Sequence, residues 1–155
     1  MKTYPLRFET LIPASLDKTW DFFTSPLNLD KITPPEMGLA VTSDYKANDK
    51  VYAGMIITYK ITPLPGIKMN WMTEITQVKE KEYFVDEQRF GPYALWHHQH
   101  HFKEVDGGVL MTDILNYAIP YGFIGRMANG LFVAKKVRSV FEYRGKAIEG
   151  VFGKK

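Results

Sequence analysis

From Leu39 to Ile119 the chain reads as one strand after another, with no segment long enough for a crossover helix, and a single long amphipathic helix follows Pro120. Leu39 to Tyr45 is a first run. Val51 to Ile61 follows, with Val51, Ala53, Met55, Ile57, Tyr59 and Ile61 on its odd positions. Pro63-Leu64-Pro65-Gly66 breaks the pattern before Ile67 to Val78. Lys79-Glu80-Lys81 then leads into Glu82 to Phe90, Gly91-Pro92 into a histidine-rich strand, and Asp106-Gly107 into Val109 to Ile119. Short strands joined by tight turns form an antiparallel meander rather than βαβ units. The apolar face of such a sheet needs a cover. Ile124, Met127, Leu131, Ala134, Val137, Phe141 and Ile148 recur at helical spacing and supply it. Of the glycines that weaken this helix, Gly125 and Gly130 are expected to allow close approach to the sheet and Gly145 to allow a bend.

Upstream, Thr3 to Ile12 alternates as a strand. Ser15 caps a helix that carries Leu16, Thr19, Trp20 and Phe23, with Asp17 in its first turn. Pro26 ends that helix, and Leu27 to Ile32 allows a second short one before Pro34-Pro35. The fold expected is α+β: a curved seven-stranded antiparallel sheet around a long C-terminal helix, with two short helices after strand 1. Residues 1–155 are expected to form one domain.

The chain has no cysteine, which excludes disulfides, a thiolate nucleophile and a Cys-based metal site. No apolar run approaches the roughly 20 residues of a spanning helix, and the N-terminus lacks the pattern of a signal peptide. A cytoplasmic protein, monomeric or homodimeric, is expected. The net charge of +3 is mild, but Arg126, Lys135, Lys136, Arg138, Arg144, Lys146, Lys154 and Lys155 crowd the last segment against Glu142 and Glu149. Such a bias suits an anionic partner or a solvated helix face. No nucleic-acid-binding motif accompanies it, so no nucleic-acid partner is expected. Phe132 and Val133 flank the basic face, which leaves a membrane- or partner-docking role open.

All four histidines lie in Trp96-His97-His98-Gln99-His100-His101-Phe102. On a strand, Trp96, His98, His100 and Phe102 share one face, and His97, Gln99 and His101 the other. Asp106-Gly107 is a strong two-residue hairpin signal and is expected to adopt type I′ geometry. Val105 then opposes Gly108, which sets His100 opposite Asp113, His98 opposite Leu115 and Trp96 opposite Tyr117. The preceding hairpin has two registers. A three-residue Gly91-Pro92-Tyr93 loop sets Asp86 opposite His98 and Gln88 opposite Trp96, whereas a two-residue loop sets Asp86 opposite His97; the first is preferred because it puts Phe84, Asp86, Gln88 and Phe90 on the Trp96 face.

With Trp20-Asp21-Phe22-Phe23 before Pro26, Phe84-Val85-Asp86-Glu87-Gln88, Gly91-Pro92-Tyr93, Trp96 with His98, His100 and Phe102, Thr112-Asp113 with Tyr117 and Pro120, and Phe141, Tyr143 and Arg144, the chain resembles the START-like, or SRPBCC, superfamily. That superfamily includes polyketide cyclases, the birch-pollen-allergen group and lipid-transfer domains. Within it, the chain looks most similar to a bacterial branch sometimes labelled cell-division inhibitor-like. The resemblance spans essentially the whole chain and implies the helix-grip fold, with a cavity between sheet and terminal helix. It implies no particular activity, because fold does not fix function.

The function expected is binding or carriage of a small hydrophobic or amphipathic molecule in that cavity. Candidate ligand-binding residues are Tyr59, Trp71, Trp96, Tyr117, Met127 and Leu131, with Asp86, Gln88, His98, His100 and Asp113 as polar anchors. The alternative is a cyclase-, hydratase- or hydrolase-like enzyme that uses an Asp-His pair as general base. No nucleophile elbow, phosphate loop or cofactor fingerprint is present, so no cofactor is expected. His98 and His100 form one His-x-His that Asp86 or Asp113 could complete, but with no established third ligand and a carboxylate already opposite each imidazole no metal is expected.

Overall fold

The computed structural model describes residues 1–64 and 66–153. Pro65 of the Pro-rich turn and the basic Lys154 and Lys155 lie outside the described residues. Seven strands form one antiparallel sheet in the order β1-β7-β6-β5-β4-β3-β2. They are β1 (Tyr4–Ile12), β2 (Ala40–Val41), β3 (Ile56–Leu64), β4 (Ile67–Lys79), β5 (Tyr83–Phe90), β6 (Leu95–Val105) and β7 (Gly108–Ala118). Between β1 and β2 stand the helix α1 (Leu16–Phe23) and three 3₁₀ turns, Pro26–Asn28, Asp30–Ile32 and Pro35–Met37. The Ser15 side chain accepts from the Lys18 N–H to start α1, which buries Thr19, Trp20 and Phe23. Shifts of register in the β4–β5 pairing, between Met72 and Thr73 and between Ile75 and Gln77, mark bulges that curl the sheet.

Two strands are shorter than their sequence patterns. The segment expected from Leu39 to Tyr45 pairs only at Ala40 and Val41, an abbreviated edge. The strand expected from Val51 begins at Ile56, because Gly54 takes a φ of +93° and Met55 closes a turn onto the Tyr52 carbonyl. The burial alternation of Met55, Ile57, Tyr59 and Ile61 is kept.

The β6–β7 hairpin has the expected register, with Val105 opposite Gly108 and His100 opposite Asp113. Its turn is not type I′. Among the described residues the non-glycine positions with positive φ are Lys81 and Tyr121, so Asp106 is not left-handed; the unusual angles fall on Gly107 (+86°) and Gly108 (+147°). A Cβ on Gly108 would lie 2.1 Å from the Ile12 carbonyl oxygen of the neighbouring strand.

The C-terminal helix runs as α2 (Gly122–Ala128), a π-helical turn (Asn129–Val133) and α3 (Ala134–Phe152). The π turn changes which face is buried, because it adds a residue to one turn and rotates everything upstream of it. Val137, Phe141 and Ile148 pack inward as expected, but the buried residues upstream are Gly125 and Asn129. Ile124, Met127 and Leu131 are instead 70%, 52% and 75% exposed. Gly125 sits at a close approach, but to the connection before the helix rather than to the sheet: its Cβ would lie 1.9 Å from the Pro120 carbonyl oxygen. Gly130 and Gly145 face open space, and α3 runs through Gly145 without interruption.

These glycines yield opposite expected results. Gly145→Ala should raise the unfolding free energy by about 0.5–1 kcal/mol through helix propensity alone. Gly108→Ala should lower it by at least about 1–3 kcal/mol, as a strained φ adds to a backbone clash. Urea unfolding of the two variants measures both, and equal effects would contradict this account.

Candidate functional site

The inner face of β6 carries Trp96, His98, His100 and Phe102, the last packed on Trp20 and Phe23 of α1, and the neighbouring strands bring two carboxylates beside the imidazoles. Asp86 stands opposite His98 on β5, and Asp113 stands opposite His100 on β7. Their side chains do not simply bond straight across. His98 Nε2 meets Asp113 Oδ1 at 2.7 Å, and His100 Nε2 meets Asp86 Oδ2 at 2.7 Å. The directly opposed contacts are longer: 3.4 Å from His98 Nδ1 to Asp86 Oδ2, and 3.2 Å from His100 Nδ1 to Asp113 Oδ1. Strand twist brings diagonal neighbours within reach of long side chains. The result is a closed ring of alternating imidazole and carboxylate.

Arg144 of α3 closes the ring from the helix side, with Nη1 3.3 Å from Asp113 Oδ1. Its place on the helix follows from spacing, since Val137, Phe141, Arg144 and Ile148 form one buried stripe. Reading Arg144 as part of the basic, solvated set hid this; its position within the apolar period is the signal that finds it. A carboxylate oxygen only accepts, so His98 and His100 each donate from Nε2. The Nδ1 of His100 is left buried and without an aligned partner, as is the Nε of Arg144.

Opposite charges meet within the ring. Burial alone would push the Asp86 and Asp113 carboxyls up, but the imidazoles outweigh it at both, with Arg144 helping at Asp113, and hold both well below the usual carboxylate range. Burial likewise opposes a charge on His98, yet Asp86 and Asp113 together raise its pKa above the ordinary imidazole value. The carboxylates therefore add stability above about pH 4 that is lost as the pH falls toward their folded values. His98 adds stability below about pH 6.5 that is lost as the pH rises through its raised pKa. Unfolding free energy should peak between about pH 4 and pH 6.5 and decline on the alkaline side. Urea unfolding from pH 5 to pH 9 tests this, and a steady rise across that range would contradict the charged His98.

A cavity of about 170 Å³ lies against this ring, between the sheet, the 3₁₀ turns and α3. Its apolar lining includes Phe23, Ile32, Ile57, Ile75 and Val137, and it reaches the partly exposed Asn28, Met37 and Lys136. Six of the eleven residues expected to bind ligand line it: Tyr59, Trp71, Asp86, Trp96, His98 and His100. Thr73, Tyr93 and Arg144 line it as well. Thr73 Oγ1 gathers Tyr59 Oη at 2.7 Å and Trp71 Nε1 at 3.1 Å, which fixes both rings. Burial, aided by the Asp86 charge, pushes the Tyr59 phenol far above its usual range, so it stays protonated.

The other five expected residues lie elsewhere. Asp113 sits behind the imidazoles and is 2% exposed. Gln88 clamps the β5–β6 turn, donating to the Tyr93 carbonyl at 2.7 Å and accepting from the Tyr93 N–H at 3.2 Å. Tyr117 is used in docking the helix, its hydroxyl donating to Asn129 Oδ1 at 2.9 Å. Met127 and Leu131 face outward because of the π turn. On the opposite face of β6, His97 and His101 are partly exposed beside Glu87 and Gln99.

A curved antiparallel sheet gripping a C-terminal helix, with a cavity between them, is the START-like (SRPBCC) helix-grip fold, and this chain has it. Solved structures of the same fold include a protein from Chromobacterium violaceum, 13% identical, at a TM-score of 0.74 over 97% of this chain and 99% of the other. The major latex-like protein 151 of Panax ginseng is 15% identical, at a TM-score of 0.68 over 97% of each chain. Ara h 8.0201 is 12% identical, at a TM-score of 0.59 over 96% of this chain and 99% of the other. No protein-family model matches the sequence, and no curated protein matches it. Among the described residues, no helix is long and apolar enough to cross a membrane.

Proposed function

We propose that this protein is a single-domain cytoplasmic carrier for a small, largely apolar molecule that bears one acceptor oxygen. The observation that carries the proposal is an apolar cavity bordered by a buried arginine that keeps an unsatisfied donor. About 170 Å³ is close to the room that a single aromatic ring fills. Arg144 lines that space, and its Nε–H has no protein acceptor. A buried donor without a partner costs about 1–3 kcal/mol, and a carbonyl or carboxylate oxygen on the ligand would remove that cost. The ring system would lie among Ile57, Trp71 and Trp96, with its oxygen toward Arg144.

Phenylacetate and toluene, titrated by NMR, separate the two parts of the proposal. Both should bind saturably, and phenylacetate more tightly. Ile57→Trp, which fills the cavity from β3, should abolish both while the near-ultraviolet circular dichroism stays native. Absence of saturable binding of either probe, together with no co-purified small molecule in native mass spectrometry, would sink the carrier reading.

One observation favours a second reading, a cyclase-, hydratase- or hydrolase-like enzyme. Asp86, His98 and His100 border the same cavity, so the acid–base pair is in reach of a bound molecule. Its test is a change in mass of the co-purified molecule on incubation with the protein.

A further inference from the structure

The geometry points to a divalent first-row transition-metal site formed by Asp86, His98 and His100, with Asp113 as the shared acceptor behind both imidazoles. The sequence offered His-x-His with Asp86 or Asp113 as a possible third ligand; the β5–β6 register sets Asp86 opposite His98. One donor atom from each residue lies within 4.8 Å of the others. Asp86 Oδ2 is 3.4 Å from His98 Nδ1 and 2.7 Å from His100 Nε2. A metal with bonds of about 2.1 Å holds its ligand atoms roughly 3 Å apart, so the two spacings to Asp86 need little adjustment, and the two imidazole nitrogens, within 4.8 Å of one another, would close around the metal. Two imidazoles and one carboxylate suit Zn²⁺, Fe²⁺ or Co²⁺ rather than Mg²⁺ or Ca²⁺.

The atoms behind the ligands carry the argument further. A metal-bound imidazole donates its other N–H to a carboxylate or carbonyl, which sets its tautomer and orientation. Here the two distal nitrogens, His98 Nε2 and His100 Nδ1, lie 2.7 and 3.2 Å from the same oxygen, Asp113 Oδ1. Asp113 is held in turn by Arg144. Without metal, His100 must put its proton on Nε2 to reach Asp86, and its Nδ1 is left buried with no hydrogen bond. With metal on Nε2, the His100 proton would sit on Nδ1, 3.2 Å from Asp113 Oδ1, and a turn of the ring would align it with that oxygen. All three ligands line the cavity, so a bound molecule would lie beside the metal.

Nothing in this inference depends on whether an apolar molecule binds. The probe is Co²⁺ added to untagged protein. The expected result is one equivalent taken up per chain, with visible d–d absorption. Asp113→Asn should weaken uptake about 10–100-fold, and Asp86→Asn or His100→Gln should abolish it. The outward-facing His97→Gln/His101→Gln variant should bind as the native protein does. Each variant is checked by near-ultraviolet circular dichroism. If Asp86→Asn and His100→Gln do not fold, the native protein still decides: Co²⁺ should give two strongly shifted, exchangeable imidazole N–H resonances, one each from His98 and His100. Failure to bind one equivalent, absence of those resonances, or loss of uptake in His97→Gln/His101→Gln would overturn the proposal.

Discussion

Asp113→Asn is expected to lower the unfolding free energy at pH 7 by about 3–5 kcal/mol, although it changes one atom and almost no volume. The reason is what Asp113 faces. Its Oδ1 accepts from His98 Nε2 at 2.7 Å, lies 3.2 Å from His100 Nδ1 and lies 3.3 Å from Arg144 Nη1. Asp113, His98, His100 and Arg144 are all less than 9% exposed, so water cannot replace the lost charge. An amide would bring two N–H donors to a site where His98 Nε2 and Arg144 Nη1 already donate. Breaking a buried pair by removing one partner leaves the other charge uncompensated, which is what makes the change severe. For a chain of this length the midpoint of thermal unfolding should fall by on the order of 10 °C. Urea unfolding and calorimetry measure both quantities. A loss below about 1 kcal/mol would mean that the ring is solvated, and the charge account given for it would fail with it.

Phe141→Ala should have an effect of similar size, about 3–5 kcal/mol, for a different reason. The Phe141 ring stacks on Phe8 with centroids 4.6 Å apart and planes 3° from parallel. His98 meets its edge at 5.2 Å, and the Arg144 guanidinium lies 5.0 Å from its centroid. Phe141 thus fastens α3 to β1 and β6 at once. Truncation leaves a void that a stiff sheet cannot close, whereas Phe141→Leu, which keeps most of the volume, should cost less than half as much. The loss should also be local. Hydrogen exchange should show the α3 amides losing more protection than those of the β6–β7 hairpin. A uniform loss along the chain, or equal effects of Ala and Leu, would contradict the anchoring role.

Much of the site's layout was legible because hairpin register is local. Val105-Asp106-Gly107-Gly108 sets His100 opposite Asp113, and that pairing survives although the turn adopts other angles than type I′. Asp86 opposite His98 follows from the longer of the two loop readings of Gly91-Pro92-Tyr93. The exchange of short contacts onto the diagonals was not legible, since it depends on how far twist carries each side chain from its opposed Cα. Arg144 was half legible: its helical phase marks it as inward, but its charge marks it as solvated. Only the presence of Asp113 across the interface decides between them.

Alternation with a period of two, turn residues at the breaks and one apolar stripe after Pro120 determined the fold by themselves, because each acts over a few neighbouring residues. The sequence alone also placed His98 and His100 on the inner face and His97 and His101 on the outer. The tertiary structure decided where the helix changes phase, which exposes Met127 and Leu131 and buries Gly125 and Asn129. It decided that Tyr117 and Gln88 serve the scaffold rather than the cavity. It also decided that two histidines and two aspartates form one ring rather than two separate pairs. Those outcomes depend on twist, desolvation and competition for partners across different elements, and these are properties of the packed chain rather than of any stretch of it.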